Sequence, residues 1–79
     1  MKLLVRNLAR TTTEDDLKSL FETHGTLQSV NLVMDKESGL SKGFAFVEMP
    51  NENEAKSALK TLHETRVANN RIRVKTAQS

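Results

Sequence analysis

Apolar and polar side chains alternate near both ends of the chain and in its middle, with helical spacings between. Over residues 2–6, Leu3 and Val5 fall on one side and Leu4 and Arg6 on the other, the period of a strand with one buried face. Leu17, Leu20 and Phe21 recur at i, i+3 and i+4, predicting an amphipathic helix over about residues 14–24. Thr13 with Asp16 offers that helix a capping box, and Glu14, Asp15 and Asp16 complement its dipole. Gly25 supplies a stop. Alternation resumes over residues 27–34, with Val30, Leu32 and Met34 sharing one face and Ser29, Asn31 and Val33 the other. Residues 35–41 are polar and contain Gly39, predicting a hairpin loop longer than the two-residue type.

The next strand, residues 42–49, is the most unusual. Gly43, Ala45, Val47 and Met49 make a small, aliphatic face suited to packing against helices. Lys42, Phe44, Phe46 and Glu48 make the other. Pro50 ends the strand, and Asn51 with Glu54 offers a second cap-and-reply pair. Ala55, Ala58, Leu59 and Leu62 then predict a helix over about residues 52–63. Residues 64–70 turn the chain, with Asn69 and Asn70 able to take positive φ. Residues 71–75 close as a strand with Ile72 and Val74 inward and Arg71, Arg73 and Lys75 outward, before a polar tail at 76–79.

The element order β-α-β-β-α-β is that of an α+β, ferredoxin-like sandwich. Such a fold has a four-stranded antiparallel sheet with both helices on one face and the first and third strands adjacent in the centre. Seventy-nine residues suffice for one domain with one modest core, expected over residues 2–76 of 1–79. The open face of that sheet would gather Leu4, Arg6, Asn31, Phe44, Phe46, Arg71, Arg73 and Lys75, with Lys42 at its loop edge.

Charge sharpens this picture. The net charge of +2 hides an uneven distribution: residues 1–10 carry +3, residues 66–79 carry +4, and the middle carries −5. If the ends lie side by side they form a basic strip. Two of the three phenylalanines then sit on a charged face, although each aromatic can remove roughly 150–250 Å² from water when buried. That placement predicts a platform on which something flat stacks. The chain has no cysteine, and its two histidines, His24 and His63, are too few for a histidine metal cluster. Both histidines stand at helix ends and read as exposed or dipole-compensating residues. The apolar run at the N-terminus is too short for a signal peptide, and no apolar run spans a membrane.

Residues 42–49 resemble the octamer K/R-G-F/Y-G/A-F/Y-V-x-F/Y of the RNA recognition motif family, departing only at Met49. Leu3-Leu4-Val5-Arg6-Asn7-Leu8 resembles the family's hexamer, and the likeness extends over essentially the whole chain. A single domain of this kind is similar to the small stand-alone RNA-binding proteins of bacteria. The resemblance implies single-stranded RNA as partner, with single-stranded DNA a second possibility, bound without cofactor, metal or chemistry. It implies that Phe46 stacks a base and that Phe44 contacts bases or sugars. Arg6, Lys42, Arg71, Arg73 and Lys75 would serve phosphates or base edges, with Asn31 and Lys75 the base-edge readers by side-chain type. The hexamer's second position is usually aromatic; here Leu4 offers only apolar contact. A monomer in the cytoplasm is expected, a bacterial one foremost, or the nucleus or cytoplasm of a eukaryote.

Two other functions compete with RNA binding. Some domains of this family bind proteins through their helices or a covered sheet. Small acylphosphatases share the strand order, but they need a phosphate-cradling loop after the first strand, and residues 7–10 contain no glycine. The sequence therefore reads as a binding module and not as an enzyme, with no small-molecule substrate.

Overall fold

The computed structural model of the protein describes residues 1–77. Its elements run β1 (Lys2–Arg6), α1 (Glu14–Glu22), β2 (Ser29–Met34), β3 (Ser41–Glu48), α2 (Glu52–Leu62), β4 (Arg66–Val67), β5 (Asn70–Arg71) and β6 (Arg73–Thr76). The main sheet has the order β2-β3-β1-β6, and every neighbouring pair is antiparallel. Leu3 and Val5 of β1, Ala45 and Val47 of β3, and Val74 of β6 bury one face against Leu17 and Phe21 of α1 and Ala55, Ala58 and Leu62 of α2. Both helices thus cover the same face. Burying a side chain of leucine or phenylalanine size contributes about 1.5–3 kcal/mol, so this shared cluster sets which face stays open. Among the described residues, no helix is long and apolar enough to cross a membrane.

The capping box at Thr13 forms in full: Asp16 N–H donates to Thr13 Oγ1 at 3.1 Å, and Thr13 N–H donates to Asp16 Oδ2 at 3.0 Å. The second cap forms in half. Glu54 N–H donates to Asn51 Oδ1 at 3.0 Å, but the Glu54 carboxylate turns away and accepts Thr26 N–H at 3.1 Å. Gly25 permits that approach, because a Cβ there would run into the Glu54 side chain.

The strands depart from simple alternation in two places. Leu32 pairs with Ala45, yet Met34 pairs with Ser41, so β3 carries extra residues opposite β2 around Lys42 and Gly43. Met34 is consequently 47% exposed instead of facing inward with Val30 and Leu32. Met49 falls just beyond β3 but stays buried, and Met49 N–H donates to the Met1 carbonyl at 2.9 Å.

The expected last strand is also divided. Arg71 belongs to a two-stranded ribbon in which Arg66 pairs with Arg71 and Val67 with Asn70. The turn between them lies at Ala68 (φ 51°) and Asn69 (φ 69°), one residue earlier than expected, since Asn70 is already paired. Asn7 Nδ2 donates to the Arg71 carbonyl at 2.8 Å, and Asn70 Nδ2 donates to the Asn7 carbonyl at 3.2 Å, fixing the ribbon to the end of β1. Thr76, expected in the tail, extends β6, and Ala77 N–H donates to the Lys2 carbonyl at 2.8 Å. Gln78 and Ser79 of that expected tail lie outside the described residues.

At each edge of the sheet a side chain from a helix end takes up one backbone donor. Leu32 N–H of β2 donates to Glu14 Oε2 at 2.8 Å, and Val74 N–H of β6 donates to His63 Nδ1 at 3.0 Å. Unpaired edge donors invite another strand, so these two bonds blunt both edges. His63 therefore does more than sit at a helix terminus.

Candidate functional site

The pairing registers turn the open face into rows. Asn31 pairs with Phe46, Phe46 with Leu4, and Leu4 with Lys75, so these four side chains cross the sheet in one line. The next outward row brings Arg6 opposite Arg73, and alternation on β3 sets Phe44 beside Arg6. On the other side of the central row, Ser29 pairs with Glu48 and Glu48 with Lys2.

Phe44 and Phe46 sit two residues apart on β3, with ring centroids 6.1 Å apart and an interplanar angle of 89°. That edge-to-face contact is a favoured aromatic geometry, and it holds the two rings against each other. Both remain partly exposed. Lys2 Nζ lies 5.2 Å from the centroid of Phe46, a cation–π distance. Lys2 is absent from the face as read by sequence, although the alternation that turns Leu4 and Arg6 outward turns Lys2 outward too.

Arg6, Lys42, Arg71, Arg73 and Lys75 are all exposed. Among the described residues Lys56 pairs with Glu52 and His63 Nε2 stands 3.7 Å from Glu64 Oε1, so none of these five cations is in a salt bridge with an acid. Arg6, Arg73 and Lys75 converge on the central rows. Together with His63 they line a cleft of about 640 Å³ along the β6 edge. Arg71 stands apart, on the ribbon beyond the end of β1. Sequence alternation alone could not separate it from Arg73, because the break at Ile72 arises from the ribbon's own pairing.

A second cleft, of about 510 Å³, opens beside Phe44, where β1 ends and the hairpin loop begins. Arg6, Arg10, Asp35, Leu40, Lys42 and Phe44 are among its lining residues. The loop is held by Asp35 N–H donating to the Leu40 carbonyl and Gly39 N–H to the Asp35 carbonyl, both at 2.8 Å. Glu37 N–H donates to Asp35 Oδ1 at 2.9 Å. That bond holds the Asp35 carboxyl below its usual range; Ser38 and Lys42 act in the same direction, against partial burial. The chemistry on offer is apolar ring surface, unpaired cations and one well-ionised acceptor.

Comparison with known proteins points the same way. The family model described as RNA recognition motif matches residues 3–73. Glycine-rich RNA-binding protein 1 of Mycosarcoma maydis is 40% identical over 78 residues, which cover 99% of this chain and 45% of that protein. The chain thus spans less than half the length of that relative. Among solved structures, one titled "Crystal Structure of RNA Binding Protein PG1" superposes with a TM-score of 0.96 at 35% identity, covering 100% of this chain and 95% of the other. A second, titled "SXL-LETHAL PROTEIN/RNA COMPLEX", gives a TM-score of 0.94 at 31% identity, covering 99% of this chain and 47% of that one.

Proposed function

The chain belongs to the RNA recognition motif family, and from that premise we propose that it binds single-stranded RNA across the open face of its sheet. The observation that carries the reading is the central line Asn31–Phe46–Leu4–Lys75, flanked by Phe44 and the unpaired cations Arg6 and Arg73. A base stacks on Phe46, displacing the Lys2 ammonium from the ring toward a phosphate. Phe44 takes the neighbouring base or sugar. Arg6, Lys42, Arg71, Arg73 and Lys75 neutralise the backbone, while Asn31 and Lys75, at the two ends of the central line, address base edges. The chain acts as one domain and as a monomer, binding without catalysis, in the cytoplasm. Single-stranded DNA presents the same bases and phosphates and is the second ligand in this reading.

Titration of a random single-stranded RNA pool at several salt concentrations tests it. The Arg73→Ala, Lys75→Ala double variant is expected to flatten the slope of log affinity against log salt by about 0.7 for each phosphate that is no longer neutralised. An unchanged slope removes both residues from the phosphate set. Amide shifts mapped in the same titration should fall on the sheet strands β1, β2, β3 and β6. Shifts confined to α1 and α2 would transfer the reading to a protein-binding module.

Leu4 lies directly opposite Phe46. Leu4→Tyr is expected to tighten RNA binding by about fivefold, part of the roughly 1–3 kcal/mol that a stacking ring contributes, since leucine already supplies apolar contact. Weaker binding by the variant would show that the aliphatic side chain has a separate role.

A further inference from the structure

We propose that the cleft beside Phe44, lined by the cations Arg6, Arg10 and Lys42 and by the carboxylate of Asp35, seats a guanine nucleotide of the bound strand. The inference rests on RNA lying across the sheet and adds a base preference to it. The cleft adjoins the platform, because Phe44 belongs to both. A strand leaving Phe46 past Phe44 runs into it.

Its lining is mixed in a way a plain phosphate site would not need. Leu40, 48% exposed on the loop, and the partly exposed Phe44 supply apolar surface for a ring. The three cations supply hydrogen-bond donors and positive charge. Asp35 adds a carboxylate, which repels phosphate and therefore has to be matched by a donor on the ligand.

Guanine meets both demands. Its O6 and N7 accept from arginine or lysine, and its N1–H and N2 amine present two adjacent donors. An ionised carboxylate only accepts, at two oxygens with about four lone-pair positions. Glu37 N–H takes one position on Asp35 Oδ1 and Ser38 also acts on the carboxyl, which still leaves part of its capacity for a base edge. Adenine and uracil place a lone pair beside their single donor on that edge, so a carboxylate gains one bond and meets one repulsion. Arg10 enters through its position on the cleft wall, where the chain leaves β1 for α1.

Fluorescence anisotropy with short oligouridines carrying one guanosine, adenosine or inosine tests the assignment. The wild-type protein is expected to bind the guanosine oligomer about tenfold more tightly than the adenosine one. Inosine, which lacks the N2 amine, should lose most of that preference. Asp35→Asn keeps an oxygen for Glu37 N–H but adds a donor, and should bring the guanosine-to-adenosine ratio close to one. Equal wild-type binding of guanosine and adenosine, inosine as tight as guanosine, or an unchanged ratio in Asp35→Asn would each overturn the proposal. Phe46→Ala run alongside separates the two claims. If it loses affinity while the Asp35→Asn ratio is unchanged, the cleft assignment alone falls; if it binds every oligomer as before, the sheet-face reading falls.

Discussion

Replacing Phe46 by alanine is expected to weaken single-stranded RNA binding about thirtyfold, the equivalent of about 2 kcal/mol of stacking. The expectation follows from where the ring sits. Phe46 is on the second strand of four, in the row that crosses the whole face, with Asn31 on one side and Leu4 on the other. Leu4 cannot stack, so dependence on an aromatic concentrates on the neighbour that remains. Phe44 is less central, because its row is shared with Arg6 and opens into the cleft. Phe46→Ala also removes the edge-to-face packing with Phe44 and the cation–π interaction with Lys2. These changes soften the fold without removing its core, since Phe46 faces away from the buried cluster. Isothermal titration against an RNA pool, with far-ultraviolet circular dichroism to verify folding, gives the answer. A folded variant that binds as tightly as the wild type would end the platform reading.

The strand–helix order is legible in the sequence because each buried element carries its period openly. Leu3 and Val5, Ala45 and Val47, Leu17 and Phe21, and Ala55, Ala58 and Leu62 all enter the core as their spacing requires. The open face is legible for the same reason read in reverse. What the spacing cannot supply is register. Alternation says that Phe46 and Leu4 face the same way, but only pairing says that they stand opposite each other. The extra residues of β3 also escape a period-two reading, which assigns Met34 to the core face although it is 47% exposed. The ribbon of β4 and β5 escapes because two residues per strand are too few to show any period. The edge bonds of Glu14 and His63 join residues distant in sequence, and a helix-end carboxylate or histidine satisfies a simpler explanation equally well. Lys2 is different: its alternation already places it on the face, and counting it only as terminal charge hides that.

Gly43→Ala is expected to cost about 2 kcal/mol of stability and to lower the melting temperature by about 10 °C in a domain of this size. Two causes act together at this position. The backbone of Gly43 has φ +85°, a conformation that costs a residue with a side chain about 1–2 kcal/mol. An added Cβ would also stand 3.3 Å from the Leu8 carbonyl oxygen. That oxygen has little room to give way, because Leu8 N–H donates to the Gly43 carbonyl at 2.8 Å and holds the two segments together. Gly43 N–H in turn donates to Ser41 Oγ at 3.0 Å inside the irregular stretch of β3. The glycine of the octamer is thus a structural requirement of the bulge that sets Lys42 and Phe44 at the cleft. Gly39 provides the internal comparison. Its φ is +73°, yet an added Cβ meets no atom within 4 Å, so Gly39→Ala carries the torsional cost alone, about 1 kcal/mol. Thermal melts of the two variants therefore separate strain from crowding. A Gly43→Ala protein that melts no lower than Gly39→Ala would show that the Leu8 carbonyl relaxes freely and that torsion is the whole effect.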